Sequence, residues 1–325
     1  MFKSVLLATV ALALGAAAAS AQTPAQGFPN RPITLINVFA AGGPSDIHLR
    51  ALANKAKDVF GVPVVVENKL GGAGTVGPAV MAATAKPDGY TVSYVGAGIF
   101  TVPNLQKVAF DPAKDFTYII GLSGYRIIVA VKNDARWKTW AEVAAEAKDN
   151  PLKITFSTPG LGSATHLAFE SAAFPLNLKF RHVPFRGASE QVAAMLGAHI
   201  DLTAVGGNVF PVIDAGEARP LLWLMEEPSP RYPNVPGLKQ LGIKSEIDLN
   251  FPYGIAGPKG MDPAIVKILH DGFKKAIDTA EHQAVLQQLD QPDRYMNTAD
   301  YTAFAHKQIG AYKVAMDQLG IQRKE

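Results

Sequence analysis

The chain has 325 residues, of which 48% are hydrophobic and 18% charged, and its 31 Lys and Arg against 28 Asp and Glu give a formal net charge of only +3. Basic residues are scattered along the chain instead of forming the basic face or stripe of a nucleic-acid-binding protein, so no nucleic-acid partner is expected. The absence of cysteine excludes disulfides, thiol nucleophiles, iron–sulfur clusters and cysteine-bound zinc.

The N-terminus has the pattern of a secretory signal peptide. Lys3 supplies a positive charge, residues 5–19 form an apolar run, and Ala19 and Ala21 supply the small residues that precede a cleavage site. Cleavage before Gln22 removes a signal peptide of residues 1–21. Because no cysteine follows that site, the sequence predicts an exported protein without a lipid anchor.

Short apolar runs then alternate with helical patterns, as in βαβ units. The first block predicts a strand over 33–39, a helix over 45–59, a strand over 62–66, a helix ending at 85 and a strand over 90–95. The second block predicts strands over 127–131, 153–156, 180–183 and 200–205. It also predicts three helices: one that begins at the Thr139-x-x-Glu142 capping box, one that ends near residue 174, and one over 189–196.

The C-terminal part returns to the first block. It predicts a strand over 253–256, a helix started by Asp262 and Pro263, and a last helix over 299–319. Crossovers near 121–124 and 248–253 predict two α/β domains with mostly parallel sheets and a two-strand hinge. The predicted limits are 22–123 plus 252–325 for the first domain and 124–251 for the second.

A complete Gly-x-Gly-x-x-Gly motif occupies residues 72–77, after a strand and before a helix. A dinucleotide site also needs an acidic residue about 20 positions later to hold a ribose hydroxyl, and residues 94–98 offer none. The simpler interpretation is a glycine loop that lets a helix pack closely on its sheet. No cofactor is expected.

Enzyme signatures are weak. No Gly-x-Ser-x-Gly elbow occurs, and a hydrolase would need a dispersed set such as Ser163, His166 and Asp46. Ser163 and His166, three residues apart at a helix start, are more simply a cap and its neighbour. The seven histidines show no close pairing, so neither catalytic nor metal-ligating residues are predicted.

Three loops share a more informative pattern. Residues 41–46, 157–163 and 185–189 each follow a strand and enter a helix through Gly, Ser or Thr. Such loops lie at the carboxyl ends of strands, where open α/β sheets bind ligands. A helix start presents unpaired N–H groups and the positive end of a dipole, which suits a carboxylate or phosphate. The sequence therefore predicts two opposed sets of anion-binding loops across a cleft.

At these loops the chain resembles the periplasmic solute receptors of tripartite tricarboxylate transporters, the Bug or TctC-like family. An ordered series of motifs along the mature chain carries the resemblance: residues 28–33 (FPNRPI), 42–46 (GGPSD), 65–69 (VVENK), 86–91 (KPDGYT), 111–116 (DPAKDF), 157–166 (STPGLGSATH), 183–187 (VPFRG) and 257–260 (GPKG).

The resemblance implies a type II periplasmic-binding-protein fold of the Venus-flytrap kind, expected to be a monomer. It implies a periplasmic receptor that captures a small carboxylate-bearing solute through backbone N–H groups and delivers it to a two-component membrane permease. The ligand-binding residues carried over or inferred at the matching loops are Phe39, Ala41, Gly43, Ser45, Asp46, Gly96, Ser157, Thr158, Gly162, Ser163, His166, Arg186, Gly187, Gly207 and Asn208.

Departures from the family pattern concern the solute. Ala41 replaces the usual Pro, Phe185-Arg186 replaces Tyr-Lys, and residues 206–208 read Gly-Gly-Asn where many members carry Asp or another polar cluster. One hypothesis is that Arg186 reads a second carboxylate or carbonyl; the alternative is an outward arginine that ties the hinge. A secreted hydrolase and an orphan receptor that senses a carboxylate for signalling stay open as alternatives, whereas the export signal argues against a transcription-factor effector module.

Overall fold

The computed structural model describes residues 27–245 and 247–321. The predicted signal peptide, residues 1–21, lies outside the described residues. The described chain forms two mixed β-sheets, each with helices against it, which is a two-domain α/β fold.

The first part of the chain forms β1 (Ile33–Asn37), α1 (Pro44–Phe60), β2 (Val64–Asn68), α2 (Val76–Thr84), β3 (Thr91–Val95), α3 (Gly98–Leu105) and β4 (Phe116–Ser123). The middle part forms β5 (Ile128–Lys132), α4 (Trp140–Asp149), β6 (Thr155–Thr158), α5 (Ala164–Ala173), β7 (Arg181–Pro184), α6 (Ala188–Leu196), β8 (Leu202–Val205), α7 (Phe210–Asp214) and β9 (Ala218–Trp223). The last part forms β10 (Tyr253–Pro258), α8 (Pro263–Ile277), α9 (Ala280–Gln288), β11 (Asp293–Met296) and α10 (Thr298–Gln318).

Each sheet organises one lobe. The first lobe is built on the sheet ordered β11-β4-β10-β3-β1-β2, and the second lobe on the sheet ordered β7-β6-β8-β5-β9. The expectation of mostly parallel sheets needs correction, because four of the strand pairings are parallel and five are antiparallel among the described residues. The parallel ladders are the βαβ units; β10 and β11 return to the first sheet in the opposite direction to their neighbours.

Local signals predicted the helix starts well. Thr139 caps α4 by accepting from the Glu142 N–H, and Asp262 caps α8 by accepting from the Ala264 N–H. The elements that the sequence did not predict are α3, β4, α7, β9, α9 and β11. The residues of α3 are apolar on every side and include Pro103, so they lack the polar face on which a helix prediction depends.

The two chain crossings between the lobes lie side by side. The Tyr125 N–H, just after β4, donates to the Asn250 carbonyl, just before β10. The C-terminal helices return to the first lobe as predicted, where α8 packs on α1 and α10 packs on β4. The strands of both sheets fall within the predicted limits of the two domains, but those limits remain our proposal.

Candidate functional site

A cavity lies between the two lobes, where the carboxyl ends of strands from both sheets meet. Its volume is about 50 Å³. Both lobes supply its wall, which is formed by Phe39, Gly43, Pro44, Ser45, Ala73, Gly74, Tyr94, Gly96, Ala97, Gly98, Tyr125, Ile127, Pro159, Ser163, Ala164, Thr165, Ala188, Gln191, Ala204, Val205 and Gly206.

The first lobe turns two helix N-termini toward this cavity. Gly43 is the N-cap of α1, and Pro44 at its first position has no N–H to satisfy. Ala97 precedes α3, which begins at Gly98. The first N–H groups of a helix have no partner within that helix, and they carry the positive end of its dipole.

The second lobe supplies two more helix N-termini to the cavity. Ser163 is the N-cap of α5, and its side chain accepts from the His166 N–H at 3.3 Å. Gly187 is the N-cap of α6, and Ala188 in the first turn of that helix reaches the cavity wall. Helix N-termini therefore surround the cavity in opposed pairs, two from each lobe.

The wall carries no charged side chain among the described residues that line it. Its side-chain polar groups are those of Ser45, Tyr94, Tyr125, Ser163, Thr165 and Gln191. The hydroxyls of Tyr94 and Tyr125 lie 3.2 Å apart, and burial raises the pKa of both. The two tyrosines therefore remain neutral hydroxyls, so the wall offers an anion backbone N–H groups and uncharged side-chain donors.

The structure places five of the sequence-predicted ligand-binding residues on the cavity wall: Phe39, Gly43, Ser45, Gly96 and Ser163. They come from three loops, two in the first lobe and one in the second, and the fold brings them together on one cavity wall. The other ten lie outside the wall, in three different kinds of place.

One group closes the lobes on each other. The Ala41 carbonyl accepts from Ser189 Oγ at 2.9 Å, and the Gly162 carbonyl accepts from Thr101 Oγ1 at 2.6 Å. Gly187 packs so tightly on the first lobe that a Cβ there would lie 2.7 Å from the Ala40 nitrogen. These predicted site residues form interlobe contacts and do not line the cavity.

Arg186 also lies at this interlobe contact. Its carbonyl accepts from the Ala40 N–H at 3.2 Å, while its side chain is exposed and borders a separate depression outside Phe39 and Ala73. The geometry thus gives no support to the hypothesis that Arg186 reads a second carboxylate.

Asp46 needs a correction as well, because its carboxylate is turned into the first lobe. It accepts from the Gly42 N–H at 3.1 Å, from Arg50 Nε at 2.9 Å and from Asn68 Nδ2 at 2.9 Å. Burial opposes ionisation of Asp46, but these hydrogen bonds outweigh it and hold the pKa below its usual value. Asp46 therefore fixes the loop between β1 and α1, with Asn37 Nδ2 3.4 Å away.

The remaining predicted residues lie behind the wall. Ser157 and Thr158 bond within the second lobe, to Thr203 Oγ1 and to His182 Nε2 respectively. Gly207 lies against Pro44 of the first lobe, and the residue after it, Asn208, is also outside the wall.

His166 is buried beside His182, and this burial lowers its pKa to about 3. Ser163 acts as the helix cap, and no hydrogen bond joins its hydroxyl to the His166 ring or to Asp46 within the described part of the chain. The dispersed hydrolase set is therefore not assembled.

The Gly-x-Gly-x-x-Gly motif has the structural role that the sequence favoured. A Cβ at Gly77 would lie 2.8 Å from Ile36 Cγ2 and 3.1 Å from Val38 Cγ1, so the glycine allows α2 to pack closely on the sheet. The sequence did not reveal that Ala73 and Gly74, in the same loop, reach the cavity wall.

Other wall residues were missed because their signal is weak or not local. Tyr125 and Ile127 follow the first crossover, and only the fold brings them to the cavity. Gln191 carried a usable signal, since a polar residue three positions after Ala188 interrupts the apolar face of α6. Gly96 and Gly98 follow β3 directly, as glycines follow the strands in the predicted loops. This pattern could have indicated the start of α3.

Two features are absent from the described residues. Within residues 27–245 and 247–321, no helix is long and apolar enough to cross a membrane. Across the same residues, no group of three or more His, Asp or Glu side chains is placed to hold a metal ion.

Comparison with known proteins agrees with this architecture. The family model described as "Tripartite tricarboxylate transporter family receptor" matches residues 48–321. The chain belongs to this receptor family. A Cupriavidus necator relative, named as a UPF0065 protein in the gbd 5′ region, is 40% identical over 98% of this chain and 97% of its own length.

Solved structures of similar proteins share the fold. The periplasmic binding protein BugD superposes with a TM-score of 0.85 at 26% identity, covering 91% of this chain and 100% of that chain. A protein from R. palustris, solved with adipate, superposes with a TM-score of 0.84 at 22% identity, covering 91% of this chain and 100% of that one. The chain therefore has the fold of the solute-binding receptors of this family, which are not enzymes.

Proposed function

We propose that this receptor captures a small carboxylate-bearing solute in the interlobe cavity, through backbone N–H groups at helix N-termini, without transforming it. The observation that carries the proposal is the set of four helix N-termini around a cavity whose wall has no charged side chain. The resemblance to a protein solved with adipate supports a carboxylate as the ligand class.

The energetics suffice for capture. A hydrogen bond to a charged group contributes about 1.5–3 kcal/mol. Four to six such bonds outweigh the cost of association and reach a free energy of roughly −8 kcal/mol, which corresponds to micromolar affinity. Helix dipoles add to this, because charges are less screened between two protein lobes than in bulk water.

The same reasoning extends to the biological role. We infer that the chain is exported to the periplasm by the signal peptide of residues 1–21, acts as a monomer, and delivers its solute to the two-component membrane permease of a tripartite tricarboxylate transporter. Uptake of the labelled solute by cells that express the permease with and without this receptor tests the delivery step. Unchanged uptake with intact binding would favour the sensing role.

A thermal-shift screen tests the binding step. The mature protein is first unfolded and refolded to remove any retained solute, and is then heated with mono-, di- and tricarboxylates, amino acids, aromatic acids and, as controls, neutral sugars. A ligand at 100 times its Kd stabilises the folded state by about 2.7 kcal/mol, a shift of roughly 5 °C for a chain of this size. Stabilisation by neutral sugars with none by any acid would refute the proposal.

A further inference from the structure

One buried amide faces the cavity without a partner. Gln191 lies in the first turns of α6, its side chain is 0% exposed, and it forms part of the cavity wall. Its Nε2 has no hydrogen-bond partner among the described residues. Buried donors in native proteins are almost always paired. An unpaired one at a binding cavity therefore points to an acceptor on the ligand.

The neighbouring strands fix the direction of this amide. Thr203 Oγ1 donates to Gln191 Oε1 at 3.3 Å, and Ser157 Oγ lies 3.1 Å behind Thr203 Oγ1. All three side chains are fully buried. Because Oε1 is engaged toward the sheet, the two N–H donors of the amide are left for the cavity.

The electrostatics of the wall disfavour a second charge on the solute. No Lys, Arg or His is among the described residues that line the cavity, and the exposed Arg186 side chain lies outside it. Because the helix N-termini are occupied by the first carboxylate, a second one would lose its water and gain neither a counter-charge nor a free helix start, which is strongly unfavourable. A neutral hydroxyl or carbonyl oxygen matches the amide donor without that penalty.

We propose that Gln191 binds an uncharged oxygen of the solute, and that the solute is a short monocarboxylate with a hydroxyl or carbonyl group within reach of this amide. The inference rests on the proposed function, because it takes the helix N-termini as the site of the single carboxylate. The small cavity volume of about 50 Å³ agrees with a short acid.

The test is a calorimetric titration of wild type, Gln191→Leu and Thr203→Val with a matched set of acids. Chain lengths of three to six carbons are each tested as the plain acid, the hydroxy acid, the oxo acid and the diacid. We expect wild type to bind a hydroxy or oxo acid about 10- to 100-fold more tightly than the plain acid of equal length. The diacid should bind at least ~10-fold more weakly than that ligand.

The variants separate recognition from folding. In Gln191→Leu the preference for the hydroxy or oxo acid is lost while the plain acid still binds, and in Thr203→Val the preference is reduced because the amide is no longer oriented. Gln288→Leu, at an exposed position on α9, is the control and should behave as wild type. A tightly bound diacid, or a preference that Gln191→Leu leaves unchanged, would overturn this inference alone. Failure of every acid to bind wild type would instead contradict the proposed function.

Discussion

At the scale of single residues, the site separates groups that line the cavity from groups that hold the lining in place. Asp46 belongs to the second class. Its carboxylate ties the Gly42 N–H, Arg50 and Asn68 to the start of α1, so the backbone N–H groups at Ser45 are fixed before any solute arrives. A carboxylate turned toward the cavity would repel an anion, whereas this one is turned away from it.

We therefore expect Asp46→Asn to lower stability without raising affinity for an acid. The amide keeps the shape but has a single oxygen left to accept from Gly42, Arg50 and Asn68, and a buried donor left without its partner costs about 1–3 kcal/mol. Chemical denaturation measures the loss. Asp134→Asn, which breaks an exposed ion pair with Lys132, should cost less than about 1 kcal/mol. An Asp46→Asn protein as stable as wild type and with tighter binding would show that Asp46 faces the solute.

Glu170, on α5, predicts a pH dependence of stability. Burial raises the pKa of Glu170 to about 7, whereas an unfolded chain titrates near its ordinary value, about 4.3. The protonated side chain makes its full contribution to stability below the pKa that Glu170 has in the unfolded chain. This contribution is lost as pH rises through the pKa that Glu170 has in the folded protein. Glu170→Gln cannot titrate, so its stability relative to wild type should rise by about 2 kcal/mol between pH 5 and pH 8.

The comparison of Glu170→Gln with wild type isolates the effect of Glu170. Its neighbour His166 is present in both proteins, and its Nε2 lies 4.0 Å from Glu170 Oε1. Burial lowers the pKa of His166 to about 3 and that of His182 to about 4. The contribution of these histidines to stability is therefore lost only at low pH, and it cancels in the difference in stability between Glu170→Gln and wild type. Glu217→Gln, at an exposed position, is the control. A constant difference between Glu170→Gln and wild type across this pH range would contradict the prediction.

At the scale of elements, the helix starts combine two roles that substitutions can separate. Ser163 caps α5 and lines the cavity, whereas Thr139 caps α4 away from the cavity. Ser163→Ala and Thr139→Ala should each cost about 1 kcal/mol of stability. Titration with a bound acid should show weaker binding only for Ser163→Ala. Equal affinities in the two variants would exclude the start of α5 from the site.

Local sequence patterns predicted part of this site, and the reason is physical. The loops before α1, α5 and α6 were found because Gly, Ser and Thr at a strand-to-helix turn satisfy local backbone requirements. Which atoms of a loop face the cavity depends on the packing of the two lobes, so the sequence could not show that Ala41, Gly162 and Gly187 make contacts between the lobes. Tyr125 and Gln191 were missed because their position depends on the fold and not on a local motif.

At the scale of the whole molecule, the described structure is closed, with the lobes in direct contact around the cavity. Interlobe hydrogen bonds join Ala40 to Arg186 and Ser189 to Ala41 on one side. On another side Arg126 pairs with Asp290. These contacts hold the lobes together around the cavity, so we expect uptake and release of a solute to involve separation of the lobes about the two crossing segments.

Gly187→Ala should block closure. Gly187 has an extended backbone that any residue adopts (φ 173), so the obstacle is only the new Cβ, 2.7 Å from the Ala40 nitrogen of the other lobe. We expect an acid to reduce the radius of gyration of wild type in solution scattering but not of the variant, and to bind the variant at least ~10-fold more weakly.

The matched control for this substitution is Gly310→Ala on α10, where a Cβ meets nothing within 4 Å. It should close like wild type and gain up to about 1 kcal/mol of stability from its higher helix propensity. Ligand-induced compaction of Gly187→Ala equal to that of wild type would rule out the proposed closing contact.

The central claim is that four helix N-termini hold the negative charge of a carboxylate. Calorimetric titration of the solute-free receptor with its best acid and with the primary amide of that acid tests this claim most directly, because the two ligands share shape and differ in charge. The account predicts about 100-fold weaker binding of the amide. Equal affinity for the acid and its amide would contradict the account.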